Sequence, residues 1–190
     1  MSLHKAIFID KDGTLIDNIP FNTDPALIAL KEGAIEGLKL LSDAGYLLIV
    51  VSNQGGVAYG YFEEKELERV KLKINYLLGD ENIYLDGFYY CPHHPNGAVK
   101  KYAIDCNCRK PKPGMLLKAK SDFNIDLGRS WMIGDILHDI EAGNRAGCKT
   151  ILIGNENETE WNINKDRIPL YTACDIKQAA DFIITRPGTT

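Results

Sequence analysis

Three polar runs in this chain carry groups able to act on a charged ligand. Asp10 and Asp12 flank Lys11 and lead into Gly13-Thr14; Ser52-Asn53-Gln54 lead into Gly55-Gly56; Gly134-Asp135 stand just ahead of Asp139. Asp10 and Asp12 project to the same side if extended backbone continues past residue 9. Neighbouring carboxylates repel, so one keeps its proton unless a cation separates them. A third carboxylate from Asp135 makes an all-oxygen set that suits a hard octahedral ion such as Mg2+. Ser52 and Asn53 add a hydroxyl and an amide, and the glycines after them allow close backbone approach to an anion. Lys110 lies just ahead of an expected helix, whose N-terminal end favours negative charge. Taken singly, Asp12-Gly13 reads as a turn pair and Lys110 as a solvated lysine. Together they make a cation-assisted anion site, and the natural anion is a phosphoryl group.

A second set is soft. Of five cysteines and four histidines, Cys91, His93, His94, Cys106 and Cys108 fall within one stretch. Three sulfurs and one imidazole, from His93 or His94, form a tetrahedral set suited to zinc. A Cys106–Cys108 disulfide is disfavoured by their closeness and by the reducing compartment expected. Cys148 follows Gly147 and reads as a core residue, while Cys174 has no evident part in either set.

The elements that must position these groups alternate. Ala6–Ile9, Tyr46–Val51, Phe88–Tyr90, Trp131–Ile133 and Thr150–Ile153 read as buried strands, and Phe182–Ile184 as a last one. Between them, Ala34–Ala44, a stripe of Leu67, Val70, Ile74, Leu77 and Leu78, Met115–Phe123 and a segment to about Ala146 read as helices. Gly45, Gly79 and Gly147 are expected to close three of them. Strands joined through helices imply crossover units and a parallel sheet covered on both faces. The polar stretch Cys91–Lys112 is too long for an ordinary connection and reads as an insertion.

Composition narrows the function classes. The chain has 190 residues, 45% hydrophobic and 25% charged, which fits a folded globular protein rather than a disordered one. A net charge of −4 argues against a general nucleic-acid binder. The longest apolar run, 46–51, is far short of the ~18 residues a membrane span needs. Met1-Ser2-Leu3-His4-Lys5 lacks the pattern of a signal peptide, so a cytoplasmic location is expected; a monomer with no membrane or nucleic-acid partner is expected as well.

The motifs Asp10-x-Asp12-Gly13-Thr14, Ser52-Asn53, Lys110 and Gly134-Asp135-x-x-x-Asp139 resemble, in order and spacing, those of the haloacid dehalogenase (HAD) superfamily. The chain is most similar to its branch of D-glycero-D-manno-heptose-1,7-bisphosphate 7-phosphatases and histidinol phosphatases. Tyr89-Tyr90-Cys91-Pro92-His93-His94-Pro95 and Cys106-x-Cys108-Arg109-Lys110-Pro111-x-Pro113-Gly114-Met115 look like that branch's signature. The resemblance spans roughly residues 5 to 153.

It implies an α/β, Rossmann-like parallel sheet with helices on both faces and no large cap. A zinc-binding loop would be inserted at about 91–110 of a single domain covering 1–190. It also implies that Asp10 is a nucleophile, Asp12 a general acid and base, and Ser52 and Lys110 stabilisers of the phosphoryl group. Mg2+ would be held by Asp10, Asp12 (through its backbone carbonyl) and Asp135, with Asp139 orienting Lys110 or metal-bound water. Structural Zn2+ would be held by Cys91, His93 (in preference to His94), Cys106 and Cys108. Substrate would meet Asn18, Phe21, Ser52, Asn53, Gln54, Arg109 and Lys110, with Arg109 on the non-reacting part.

The implied reaction is hydrolysis of a sugar phosphate, first of all the 7-phosphate of the heptose bisphosphate used to make nucleotide-activated heptose. Histidinol phosphate or another small ester is the alternative, and a non-catalytic zinc-stabilised binding module a third. A receiver-like module would lack an acid beside its phosphoacceptor, so the Asp10–Asp12 pair counts against that form of it. Ile19 and Pro20 stand where the heptose branch carries polar residues with a glycine and a tyrosine, and the tail Thr185-Arg186-Pro187-Gly188 stops soon after the expected last strand, where relatives often add a helix.

Overall fold

The computed structural model describes residues 3–154 and 161–186. Six strands form one parallel sheet in the order β3-β2-β1-β4-β5-β6. They are β1 (Ala6–Ile9), β2 (Leu47–Asn53), β3 (Gly87–Cys91), β4 (Trp131–Gly134), β5 (Lys149–Ile153) and β6 (Tyr171–Ala173). The chain walks outward from β1 to β3, then returns to lay β4 on the other flank of β1. That reversal opens a crevice beyond the carboxyl ends of β1 and β4, where open α/β sheets bind ligands.

Strand alternation divides the core into two layers. Ile7 and Ile9 of β1, Leu48 and Val50 of β2, and Ile133 of β4 pack on one face against α1 (Ala34–Asp43), α3 (Glu66–Gly79) and α6 (Ile176–Ile184). Ala6, Phe8, Ile49, Val51 and Met132 point the other way, against α4 (Gly114–Phe123) and α5 (Leu137–Ala146). A short α2 (Gly56–Tyr59) follows β2. Helices cover both faces, as the crossover pattern requires. Among the described residues no helix is long and apolar enough to cross a membrane.

The C-terminal expectation is corrected. Phe182–Ile184 belongs to α6, and the last strand is Tyr171–Ala173, paired in parallel with β5. Asp175 caps the helix by accepting from the Gln178 N–H at 2.7 Å. Ile176, Ala179, Ala180 and Ile183 then recur at helical spacing on the buried side. Phe182 stacks on Tyr171 with ring centroids 3.8 Å apart. The chain therefore does carry a helix near its end; Pro187 and Gly188, part of the tail expectation, lie outside the described residues. Gly79 does not stop α3 as a left-handed cap but is its last helical residue, and the chain turns at Asn82, φ 58°.

The segment between Cys91 and Gly114 contains no helix or strand. Its backbone is tied to the body through Val99 N–H to Ala58 O at 2.8 Å and Gln54 N–H to Cys91 O at 2.8 Å.

Candidate active site

Each strand end delivers one polar group to the crevice. Past β1 the ladder continues for one residue, with the Asp10 N–H donating to Ile133 O at 2.9 Å, and Asp10 is buried. The chain then turns sharply: Leu15 and Ile16 N–H both donate to Lys11 O, and Gly13 takes φ 91°, a region costly for any side chain. Asp12 leaves the strand direction in this turn, yet Asp10 and Asp12 line the same cavity of about 190 Å³, together with Asn18, Asn53, Lys110, Asp135 and Ile136. From β4, Asp135 accepts from the Thr14 hydroxyl at 3.0 Å, and Asp139 sits in the first turn of α5.

Lys110 is the cation at the centre. Its ammonium donates to Asp10 and, at 2.9 Å, to Val51 O, and lies 2.6 Å from Asp139 Oδ1, with 3% of the residue exposed. Asn53 fixes the backbone that carries it. The Asn53 amide donates to Lys110 O and accepts from Lys110 N–H, both at 3.0 Å. Asn53 thus lines the cavity while holding Lys110 in place, a clamp between residues 57 apart in sequence.

The electrostatics favour a further cation. Oxygens of Asp10, Asp135 and Asp139 all lie within 4.8 Å of one another. Burial pushes the Asp10 carboxyl well above the usual carboxylate range; Lys110 pulls it down, but Asp139, Asp135 and Asp12 push it up again. Lys110, despite burial, is held firmly protonated by Asp10 and Asp139. One ammonium faces three buried carboxylates, so the pocket has surplus negative charge and oxygen-only donors. That combination fits a divalent hard ion. The Asp12 carboxylate is engaged elsewhere: Oδ1 is 2.5 Å from the Lys11 ammonium and Oδ2 accepts from Gln54 at 2.9 Å.

A second cavity of about 190 Å³ adjoins the first, sharing Asp12, Asn18 and Asn53, and is lined also by Ile19, Pro20, Phe21, Asn22, Gln54, Gly55 and Gly56. Phe21 stands at its rim, half-exposed, at φ 57° and edge-on to Tyr61 at 4.6 Å. Arg109 donates to His93 O at 3.3 Å and passes beside Gly55. Ser52 is buried, its Oγ 2.7 Å from the Gln54 amide nitrogen. Sequence reasoning overlooked Lys11, a buried lysine against Asp12, and the aromatic group of Tyr59 and Tyr61 beside Phe21. The Lys11–Asp12 contact joins sequence neighbours, but the burial of Lys11 is set by the fold; the aromatic group arises from packing between segments.

The soft cluster also assembles. Cys91 Sγ lies 3.4 Å from Cys106 and 3.1 Å from Cys108, and Cys106 and Cys108 are 3.2 Å apart. His93 Nδ1 is 3.7 Å from Cys91 and 3.4 Å from Cys108. A tetrahedral zinc with ordinary bond lengths has S–N edges of about 3.5 Å, which the His93 separations match, and S–S edges of about 3.8 Å, so the three sulfurs would move apart by a few tenths of an ångström to hold it. All five cysteines are free thiols, so no disulfide competes. His94 turns away, its Nδ1 3.0 Å from the Tyr59 hydroxyl, which leaves His93 as the imidazole of the cluster.

Gly134 tests the packing between β4 and α5. A Cβ there would lie 2.3 Å from Asp139 Cβ and 2.4 Å from its Oδ2. Gly134→Ala is expected to displace Asp139 from Lys110 and to destabilise by about 1–3 kcal/mol. Thermal melts should register the lower midpoint and phosphate-release assays a loss of turnover; a wild-type profile in both would contradict the contact.

Comparison with known proteins places this arrangement. A HAD-hydrolase-like family model matches residues 107–179. A D-glycero-beta-D-manno-heptose-1,7-bisphosphate 7-phosphatase of Pasteurella multocida is 44% identical over 152 residues, 80% of this chain and 82% of that protein. The corresponding phosphatase of Escherichia coli K12 is 38% identical over 177 residues, 84% of this chain and 88% of that one. Among solved structures, a HAD-like protein of Mesorhizobium loti superposes with TM-score 0.84 at 31% identity, covering 98% of this chain and 90% of that one.

Proposed function

Because the chain belongs to the D-glycero-β-D-manno-heptose-1,7-bisphosphate 7-phosphatase branch of the HAD-like hydrolases, we propose that it removes the 7-phosphate of that bisphosphate through a phosphorylated Asp10. The observation that carries this reading is the buried Asp10–Lys110–Asp139 group, with Asp12 and Asp135 facing the same cavity.

Mg2+ held by Asp10, Asp135 and the Asp12 backbone carbonyl, with Asp139 in support, would offset the clustered negative charge and polarise phosphoryl oxygens. The chain's own residues do the rest. An Asp10 oxygen attacks phosphorus, forming an acyl phosphate as the phosphorus–oxygen bond to the sugar breaks. Asp12 gives its proton to the departing alkoxide. As a carboxylate it then takes a proton from water, which attacks the same phosphorus, releases inorganic phosphate and restores Asp10. The Lys110 ammonium and the Ser52 hydroxyl donate to the non-bridging oxygens during both transfers. Arg109 and the Asn18–Phe21 segment meet the rest of the sugar, beside the second cavity.

Zn2+ on Cys91, His93, Cys106 and Cys108 is structural in this reading, since four protein ligands leave no position for substrate. The enzyme acts as a cytoplasmic monomer.

The test is a comparison of kcat/KM, with Mg2+, for the heptose bisphosphate anomers, histidinol phosphate and fructose bisphosphate. The heptose bisphosphate is expected to lead. A histidinol phosphate preference above about tenfold, equal to ~1.4 kcal/mol in transition-state binding, overturns the assignment.

A further inference from the structure

Gln54 is buried, with 6% of the residue exposed, and its backbone is pinned between the Cys91 carbonyl and the Val57 N–H. Its side-chain nitrogen has two hydrogens and meets two acceptors: Asp12 Oδ2 at 2.9 Å and Ser52 Oγ at 2.7 Å. An Asp12 oxygen that carries no proton accepts only, and with Oδ2 in that state this end of the amide is the NH2 group. Ser52 Oγ therefore receives a hydrogen from Gln54. Among the described residues no acceptor takes the Ser52 O–H.

We propose that Gln54 is a positioning residue for catalysis: one amide NH2 aims the carboxyl of Asp12 at the leaving group and turns the hydroxyl of Ser52 toward the phosphoryl oxygens. This rests on the roles given above to Asp12 and Ser52. It deepens them, because it assigns Gln54 to the machinery rather than to the sugar. The physical reason is rotor control. A serine hydroxyl with no fixed partner spends most of its time in unproductive orientations, and a donated hydrogen on Oγ restricts where its own O–H can point. Asp12 has Lys11 on its other oxygen, so losing Gln54 leaves it free to swing about that single contact. Small misplacements of an acid cost large factors in rate.

The experiment compares Gln54→Met and Gln54→Glu with the parent enzyme, in Mg2+, on the heptose bisphosphate and on p-nitrophenyl phosphate. The nitrophenolate leaves without a proton, whereas the sugar alkoxide needs one. Both variants are expected to lose about 10²-fold in kcat/KM on the sugar phosphate, and at least tenfold less than that on the nitrophenyl ester. Gln54→Glu keeps the side chain's shape but sets an acceptor against Asp12, so it reports even if Gln54→Met is poorly folded. The thermal midpoint and its rise with Mg2+ identify a folded, metal-competent variant.

Asp12→Asn is the reference. If it discriminates between the two esters and the Gln54 variants lose equally on both, the aim on Asp12 is overturned and only the hold on Ser52 stands; if they lose nothing on either ester, the positioning role is overturned whole. If Asp12→Asn itself does not discriminate, the acid role of Asp12 falls and takes this inference with it.

Discussion

Asp10→Asn is expected to lower turnover by about 10⁴-fold or more while leaving the fold intact. The substitution preserves shape and an acceptor oxygen for Lys110, so the ion-pair network around it loses little. It removes one of three buried carboxylates that repel each other, and the thermal midpoint should stay level or rise slightly. What is lost is the nucleophile: an amide oxygen does not form a stable acyl phosphate. Burst measurements of leaving-group release, circular dichroism and thermal melts check the three parts separately. Near-normal turnover in a variant verified by mass spectrometry would exclude the covalent route through Asp10.

Breaking the soft cluster is expected to be the most damaging change to stability. Cys108→Ser, or zinc removal by a strong chelator with Mg2+ kept in excess, should lower stability by about 3–5 kcal/mol. For a chain of this length that shifts the midpoint by about 6–20 °C. The loop from residue 92 to 113 has no helix or strand of its own, and much of its order depends on these four ligands.

Catalysis should fail with it. Cys108 is followed directly by Arg109 and Lys110, so an untied loop misplaces both cations. A loss of about 10²-fold or more in kcat/KM is expected. Metal analysis should find ~1 zinc per chain in the parent. Thiol titration should find only exposed Cys174 reacting fast, and three further thiols after stripping. A metal-free protein with full activity and an unshifted midpoint would dismiss the zinc reading.

Local pattern was enough for much of this. Buried strands at 6–9 and 131–133 announce themselves as apolar runs that stop at a polar residue, and their ends in a parallel sheet must face one crevice. Rare residue types in tight groups made the soft ligands visible as a set. What the sequence could not supply were contacts between segments far apart along the chain. Lys110 and Asp10 are 100 residues apart, and their pairing with Asp139 depends on how β1, β4 and the zinc loop converge. Asn53 lines the cavity, but its two bonds to the Lys110 backbone were not legible in the sequence.

The choice of His93 over His94 on geometry required the side chain of Tyr59, which takes His94 out of the cluster. At the C-terminus, Phe182-Ile183-Ile184 is too short an apolar run to distinguish strand from helix, and packing of α6 along α1 decided it. Periodicity and residue chemistry are short-range properties and survive in the linear order. The relative placement of charges is set by long-range packing, and only the folded sheet determines it.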